Sequence, residues 1–178
     1  MKTVNSLMIF TGILMMLTSC ETDVPETDVT PPNFSFSIKG DGLNQTFNQD
    51  TDFTSFQLNL RNGAKFDFVL IASDAGGLAK MSWDLAAPEN YVFDDPIELP
   101  WTSTEISPLT RRIEWVGDRN NPLTGTTLSG SFTIDGSNIA GHFRFLVKDF
   151  GGSEGTPNQF YAELLLYVGD HDSEIIEF

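Results

Sequence analysis

Two histidines, one cysteine and 25 carboxylates are the reactive groups of this 178-residue chain. His142 falls in "HFRFLVKD" and His171 in "GDHDSE". Neither has a second histidine four residues away, the spacing that sets two ligands on one helix face of a zinc protease. A zinc site also needs several His or Cys ligands. A Ser–His–Asp triad needs only that its members meet in space, so the sequence leaves it open, with neither histidine in a setting that favours it. "FDDPIE" gathers Asp94, Asp95 and Glu98, and a glycosidase works with two carboxyls at a fixed separation. With 25 acidic residues in the chain such neighbours arise from composition alone, and a solvated acidic loop is the simpler reading. "GDHDSE", residues 169–174, offers oxygen ligands to a hard cation such as Ca²⁺. It lacks EF-hand spacing, and a frayed polar terminus is favoured. No catalytic residue, no cofactor and no metal site is expected.

Cys20 has a different setting. Lys2 precedes the apolar run "LMIFTGILMML", residues 7–17. That run is shorter than the ~20 residues a membrane-spanning helix requires, and it has the length and flanks of a signal peptide. It ends in Leu17-Thr18-Ser19-Cys20, which resembles the lipobox of bacterial lipoproteins. The resemblance implies cleavage before Cys20 and acylation of its thiol and new amine, so that membrane lipid is a partner through Cys20. Two or three chains anchor stably where one does not, since each buried CH₂ adds about 0.8 kcal/mol. Residues 1–19 are then the signal peptide, and 20–32 an acidic, Pro- and Thr-containing tether. Glu21 and Asp23 resemble in part the export signals of Bacteroidota surface lipoproteins. That likeness implies an outer-membrane, surface-exposed, lipid-anchored protein.

Without residues 1–19, whose one charged side chain is Lys2, 159 residues remain with a formal charge of −16. Such a chain is repelled by nucleic-acid phosphates, so nucleic acid is excluded as a partner. The exported domain has no cysteine and folds without disulfides.

Apolar residues recur with period 2 almost everywhere, the signature of half-buried strands. "NFSFSIK", "FQLNLR", "KFDFVLIAS", "KMSWDL", "RIEWV", "SFTID", "HFRFLVKD" and "YAELLLYV" read as eight strands. Asn62-Gly63 after the second is a hairpin signal, because both residues tolerate positive φ. Residues 86–110 are irregular, and their prolines exclude a central strand. The expected fold is an all-β antiparallel sandwich of about 7–9 strands over residues 33–170, with an acidic tail at 171–178. "IAGHFRFLVKD" resembles the F-strand entry of immunoglobulin-like domains, and Trp83 lies where such domains bury a strand-C tryptophan. This resemblance covers about residues 55–170 and implies an immunoglobulin-like module without the antibody disulfide.

That topology makes residues 65–73 strand B and 142–149 strand F, and so brings two Asp-x-Gly-Gly turns to one end. Asp74, Gly76 and Gly77 would lie near Asp149, Gly151 and Gly152. The connection "GDRNNPLTG", read as D–E, would add Asp118, Arg119 and Asn120. This end is the expected partner-binding surface, although turn aspartates often only hydrogen-bond their own backbone. Tyr91 and Trp101, outside clear strands, are candidates for stacking on a glycan, or else plugs for the end of the core. The function expected is a non-catalytic binding, adhesion or accessory module meeting an extracellular protein or glycan. A glycan-binding lipoprotein and a carboxylate-based glycoside hydrolase are the alternatives.

Overall fold

The computed structural model describes residues 24–136 and 138–178; the apolar N-terminal run and Cys20 lie outside them. Among the described residues no helix is long and apolar enough to cross a membrane. The described residues form twelve strands: β1 Asn33–Gly40, β2 Leu43–Asn48, β3 Phe56–Arg61, β4 Lys65–Ser73, β5 Leu78–Ala86, β6 Tyr91–Phe93, β7 Thr102–Ser107, β8 Thr110–Val116, β9 Gly125–Ile134, β10 Ile139–Asp149, β11 Gln159–Gly169 and β12 Glu174–Glu177. Two sheets face each other, in the orders β2-β1-β4-β9-β6 and β12-β3-β11-β10-β5-β8-β7. Every pair is antiparallel except β3 with β11. With β4 beside β9 in one sheet, and β5, β10 and β11 adjacent in the other, these are the B–E and C–F–G neighbours of an immunoglobulin-like sandwich.

The apolar faces read from the sequence are the faces that meet. β4 alternates through buried Phe66, Phe68, Leu70 and Ala72, and β10 through Phe143, Phe145 and Val147. Trp83 of β5 is fully buried at the centre, with the rings of Phe68 and Phe143 each 5.1 Å away. Tilted and edge-on aromatic contacts of this kind add about 0.5–1.5 kcal/mol each beyond area burial.

Asn62-Gly63 does not close a hairpin. β3 and β4 belong to different sheets, and the pair carries the chain between them. Gly63 does use positive φ, at 77°, while the Asn62 N–H donates to the Gly169 carbonyl at 2.9 Å. The two-residue hairpin is instead Asp41-Gly42, with φ of 47° and 87°, joining β1 to β2. Nor is the C-terminal segment frayed: β12 pairs with β3 from Glu174 to Glu177. Ile175 packs against the core.

Candidate functional site

The β4–β5 turn (residues 74–77), the β10–β11 loop (150–158) and the β8–β9 loop (117–124) all lie at one end of the sandwich. The chain enters β1 at the same end, because Asn33 pairs with Ser73. Backbone hydrogen bonds tie the turns together. Phe150 N–H donates to the Gly77 carbonyl at 2.9 Å, and Asp74 N–H to the Thr124 carbonyl at 2.9 Å. The packing is close enough that a Cβ on Gly76 would sit 2.9 Å from the Gly152 nitrogen. The acidic segment expected to be a free tether is bound here as well. Ser153 and Glu154 N–H donate to the carbonyls of Pro25 and Glu26 at 2.9 and 2.8 Å, and Asp28 N–H to the Gly151 carbonyl at 2.8 Å.

Three carboxylates converge in this knot. One oxygen each from Asp28, Asp74 and Asp149 lies within 4.8 Å of the others. Asp149 is fully buried and well supplied with donors: Gly151 N–H at 2.9 Å, Asn158 N–H at 2.6 Å and Asn158 Nδ2 at 2.8 Å. Asp74, 6% exposed, accepts Gly76 N–H at 2.7 Å. Burial pushes the Asp74 carboxyl up to about 6; the Gly76 N–H works against this, and the charges of Asp149 and Asp28 add to it. Asp28 is held below the usual carboxylate range by the hydroxyl and N–H of Thr30. Among the described residues no Lys, Arg or His forms an ion pair with any of the three. Such a cluster can share a proton or hold a hard cation. Ca²⁺ takes 6–8 oxygen ligands, so three carboxylates would have to be joined by carbonyls and water.

The expected partner-binding residues meet in space but are not displayed. Asp74, Gly76, Gly77, Asp149, Gly151 and Gly152 are all buried. The two aspartates turn inwards to cap their own turns, each accepting the N–H two residues on. Asp118, Arg119 and Asn120 are exposed, on a loop that leaves β8 rather than a D-type strand. Asp118 accepts Asn120 N–H at 2.8 Å. Arg119 donates to the carbonyls of Gly152 (3.3 Å), Ser153 (2.8 Å) and Phe150 (2.8 Å), with its guanidinium 5.0 Å from the Phe150 ring centre. It clamps the loop, which is a structural task.

Neither proposed glycan platform offers a ring. Trp101 is 5% exposed, its Nε1 donating to the Thr127 carbonyl at 3.2 Å. Tyr91 is 4% exposed and packs edge-on to Phe132. Asp94 pairs with Lys65, while Asp95 and Glu98 border a cavity of about 320 Å³ floored by Phe68, Phe93 and Leu128. Gly151-Gly152-Ser153-Glu154-Gly155 has the spacing of a nucleophile elbow, a strand-to-helix turn. Here it joins two strands, and Ser153 N–H is spent on Pro25. His142 lies seven residues before the Asp149 end of β10, roughly 23 Å along the strand from that end. His171 stacks on Tyr167 with ring centres 5.2 Å apart.

No protein-family model matches the chain, and no curated protein matches it. Among solved structures it is similar to a chain of the CaDoc0917–CaCohA2 complex, at 12% identity and TM-score 0.37, over 64% of this chain and 99% of that one. It is also similar to a cohesin module from a Clostridium perfringens family 33 glycoside hydrolase, at 11% identity and TM-score 0.33, over 64% of this chain and 96% of that one. At TM-scores this low neither likeness bears on function. The class of the domain, an immunoglobulin-like β-sandwich, rests on its own strand order.

Proposed function

We propose that this chain is a non-catalytic binding module, held on the bacterial outer membrane by acyl groups on Cys20, with its loop end turned towards the lipid. The observation that carries the orientation is the binding of Pro25, Glu26 and Asp28 to the 150–154 loop. Four residues lie between Cys20 and Pro25, five steps of chain that reach at most about 18 Å when fully extended. The end that carries the carboxylate knot therefore lies near the bilayer. The far end and the flanks of the sandwich are left to meet an extracellular protein. Buried aromatic rings leave the glycan-stacking reading without a platform, and of the exposed carboxylates offered for hydrolysis Asp94 is taken up by Lys65.

Two measurements test this. Cys20→Ala should leave the protein unlipidated and released from membranes by a mild wash; retention through a high-salt wash would reject the anchor. Orientation is read by energy transfer from a dye at Asn120→Cys or Asp135→Cys to acceptor lipids in vesicles. The two positions lie at opposite ends of a sandwich whose longest strands have 11 residues, roughly 36 Å. Transfer from position 120 should be the stronger. Equal transfer, or the reverse order, would reject the orientation and leave the anchor standing.

A further inference from the structure

β11 is longer than the strand that covers its flank. β10 pairs with it from Gln159 to Val168, but β3 pairs only from Leu165 to Gly169. Upstream of Phe56 the chain leaves strand geometry in the short 3₁₀ turn Phe53–Ser55, which stays packed against β11, so the lane beyond that turn, beside the start of β11, holds no strand. Backbone direction alternates along a strand. The Asn158 carbonyl accepts Asp149 N–H on the β10 side, and the Gly169 carbonyl accepts Asn62 N–H on the β3 side. Both fix the same parity, which aims the N–H and C=O of Gln159, Tyr161 and Glu163 into this lane, with the Phe53–Ser55 turn bordering it at Glu163. Among the described residues no loop backbone bonds to these groups.

The lane is a groove. A hollow of about 430 Å³ separates Thr51–Thr54 from Phe160–Glu163. Another of about 600 Å³ continues it past Gln159 to Pro31 and Pro32. Phe53 and Phe160 line its floor, and Tyr161, 53% exposed, stands over it. Its border carries Asp50, Asp52 and Glu163. An unpaired strand edge beside a groove is the surface on which extended peptides add as an extra strand.

We propose that this edge takes an extended, Lys- or Arg-bearing segment of a partner protein, added as a strand beside Gln159–Glu163. The proposal deepens the binding-module reading and rests on it. Charge selects the occupant: the groove border is acidic, and a second copy of the chain without residues 1–19, which include Lys2, would bring a like formal charge of −16 against it. Apolar side chains of the added strand would meet Phe53 and Phe160, and alternate basic ones would meet Asp50 and Glu163, the latter already paired with Arg144 at 3.0 Å and so the weaker of the two.

The test uses the lipidated protein in detergent, with an alternating Val-Lys hexapeptide and its Val-Glu counterpart as probes. Binding is followed by anisotropy and amide exchange by NMR. Without peptide, the amides of Gln159, Tyr161 and Glu163 should exchange far faster than those of Phe160, Ala162 and Leu164. Saturating Val-Lys peptide should slow the first three about tenfold or more. Val-Glu peptide should not. Binding should weaken in about 0.5 M NaCl, and Asp50→Lys with Glu163→Gln should weaken it further while the melting temperature holds. Protection at another edge would overturn the site but leave the binding-module reading standing. Protection that rises with protein concentration alone would overturn the proposed occupant in favour of a second copy. No anisotropy change with either peptide would overturn the edge alone, since the anchored module is tested separately at Cys20.

Discussion

Asp74→Asn should make the protein more stable at neutral pH, although it removes a buried hydrogen-bonding carboxylate. In the folded state the Asp74 carboxyl titrates near 6, against an ordinary value of 3.8. At ~1.36 kcal/mol per pH unit the difference is about 3 kcal/mol. The sign follows from proton counting. Between these two values the folded chain binds more protons than the unfolded one, so stability falls as pH rises from about 4 to about 6 and is level above. Asparagine keeps an oxygen for Gly76 N–H, carries no charge, and presents a donor towards Asp28 and Asp149. The gain should therefore be about 1–3 kcal/mol near pH 8, shrinking towards zero as the pH falls below about 4. For a chain of this size that is roughly 2–10 °C in melting temperature at pH 8. Urea melts at both pH values, in EDTA, measure it; EDTA matters because a divalent cation would supply counter-charge and hide the effect. A variant less stable than wild type at pH 8 in EDTA, or a difference that ignores pH, would refute the account of the cluster.

Other substitutions probe the parts around it. Phe145→Ala, at a fully buried position ringed by Phe34, Phe36 and Trp83, should cost about 3–5 kcal/mol in a denaturant melt; an unchanged midpoint would reject the assigned face of β10. Gly76→Ala would place a Cβ 2.8 Å from the Asp28 carboxylate. With the Gly152 nitrogen 2.9 Å away as well, it should loosen residues 25–30 and the 150–154 loop together, seen as faster proteolysis there and a lower melting temperature. Arg119→Lys loses the planar fork that reaches three carbonyls; faster amide exchange across 150–154 is expected, and unchanged exchange would mean that the loop holds itself.

Strand parity was legible wherever one face is buried. Phe66, Phe68, Trp83, Phe143 and Phe145 are all inward, because a period of two leaves no choice of face once a core exists. β7 was not legible: its residues Thr102–Ser107 are exposed throughout, so it shows no alternation to read. β2 carries only Leu43 and Phe47 as buried anchors. Asn62-Gly63 misled because a turn dipeptide reports local φ, whereas the sheet that each flanking strand joins is settled by distant partners. The meeting of the two Asp-x-Gly-Gly turns followed from the topology. Their burial did not, since a turn aspartate reads alike whether it faces solvent or its own backbone. Asp28 had no signal beyond Asp-Val-Thr, in a segment whose acidic composition reads as solvated.

The bound N-terminal segment also sets how the molecule would bear load. Tension between the proposed anchor at Cys20 and a captured partner would fall first on the three backbone hydrogen bonds at Pro25, Glu26 and Asp28 and on the bond from Asn158 Nδ2 to the Asp28 carbonyl. These are met one after another from the pulled end and peel singly. β1 is held otherwise, paired along its length with β2 on one side and β4 on the other. A pull along its axis must break both ladders together. Were Cys20 anchored as proposed, releasing residues 24–32 would lengthen the attachment by up to about 30 Å at low force before the sandwich itself is strained, which would cushion the domain against a pull.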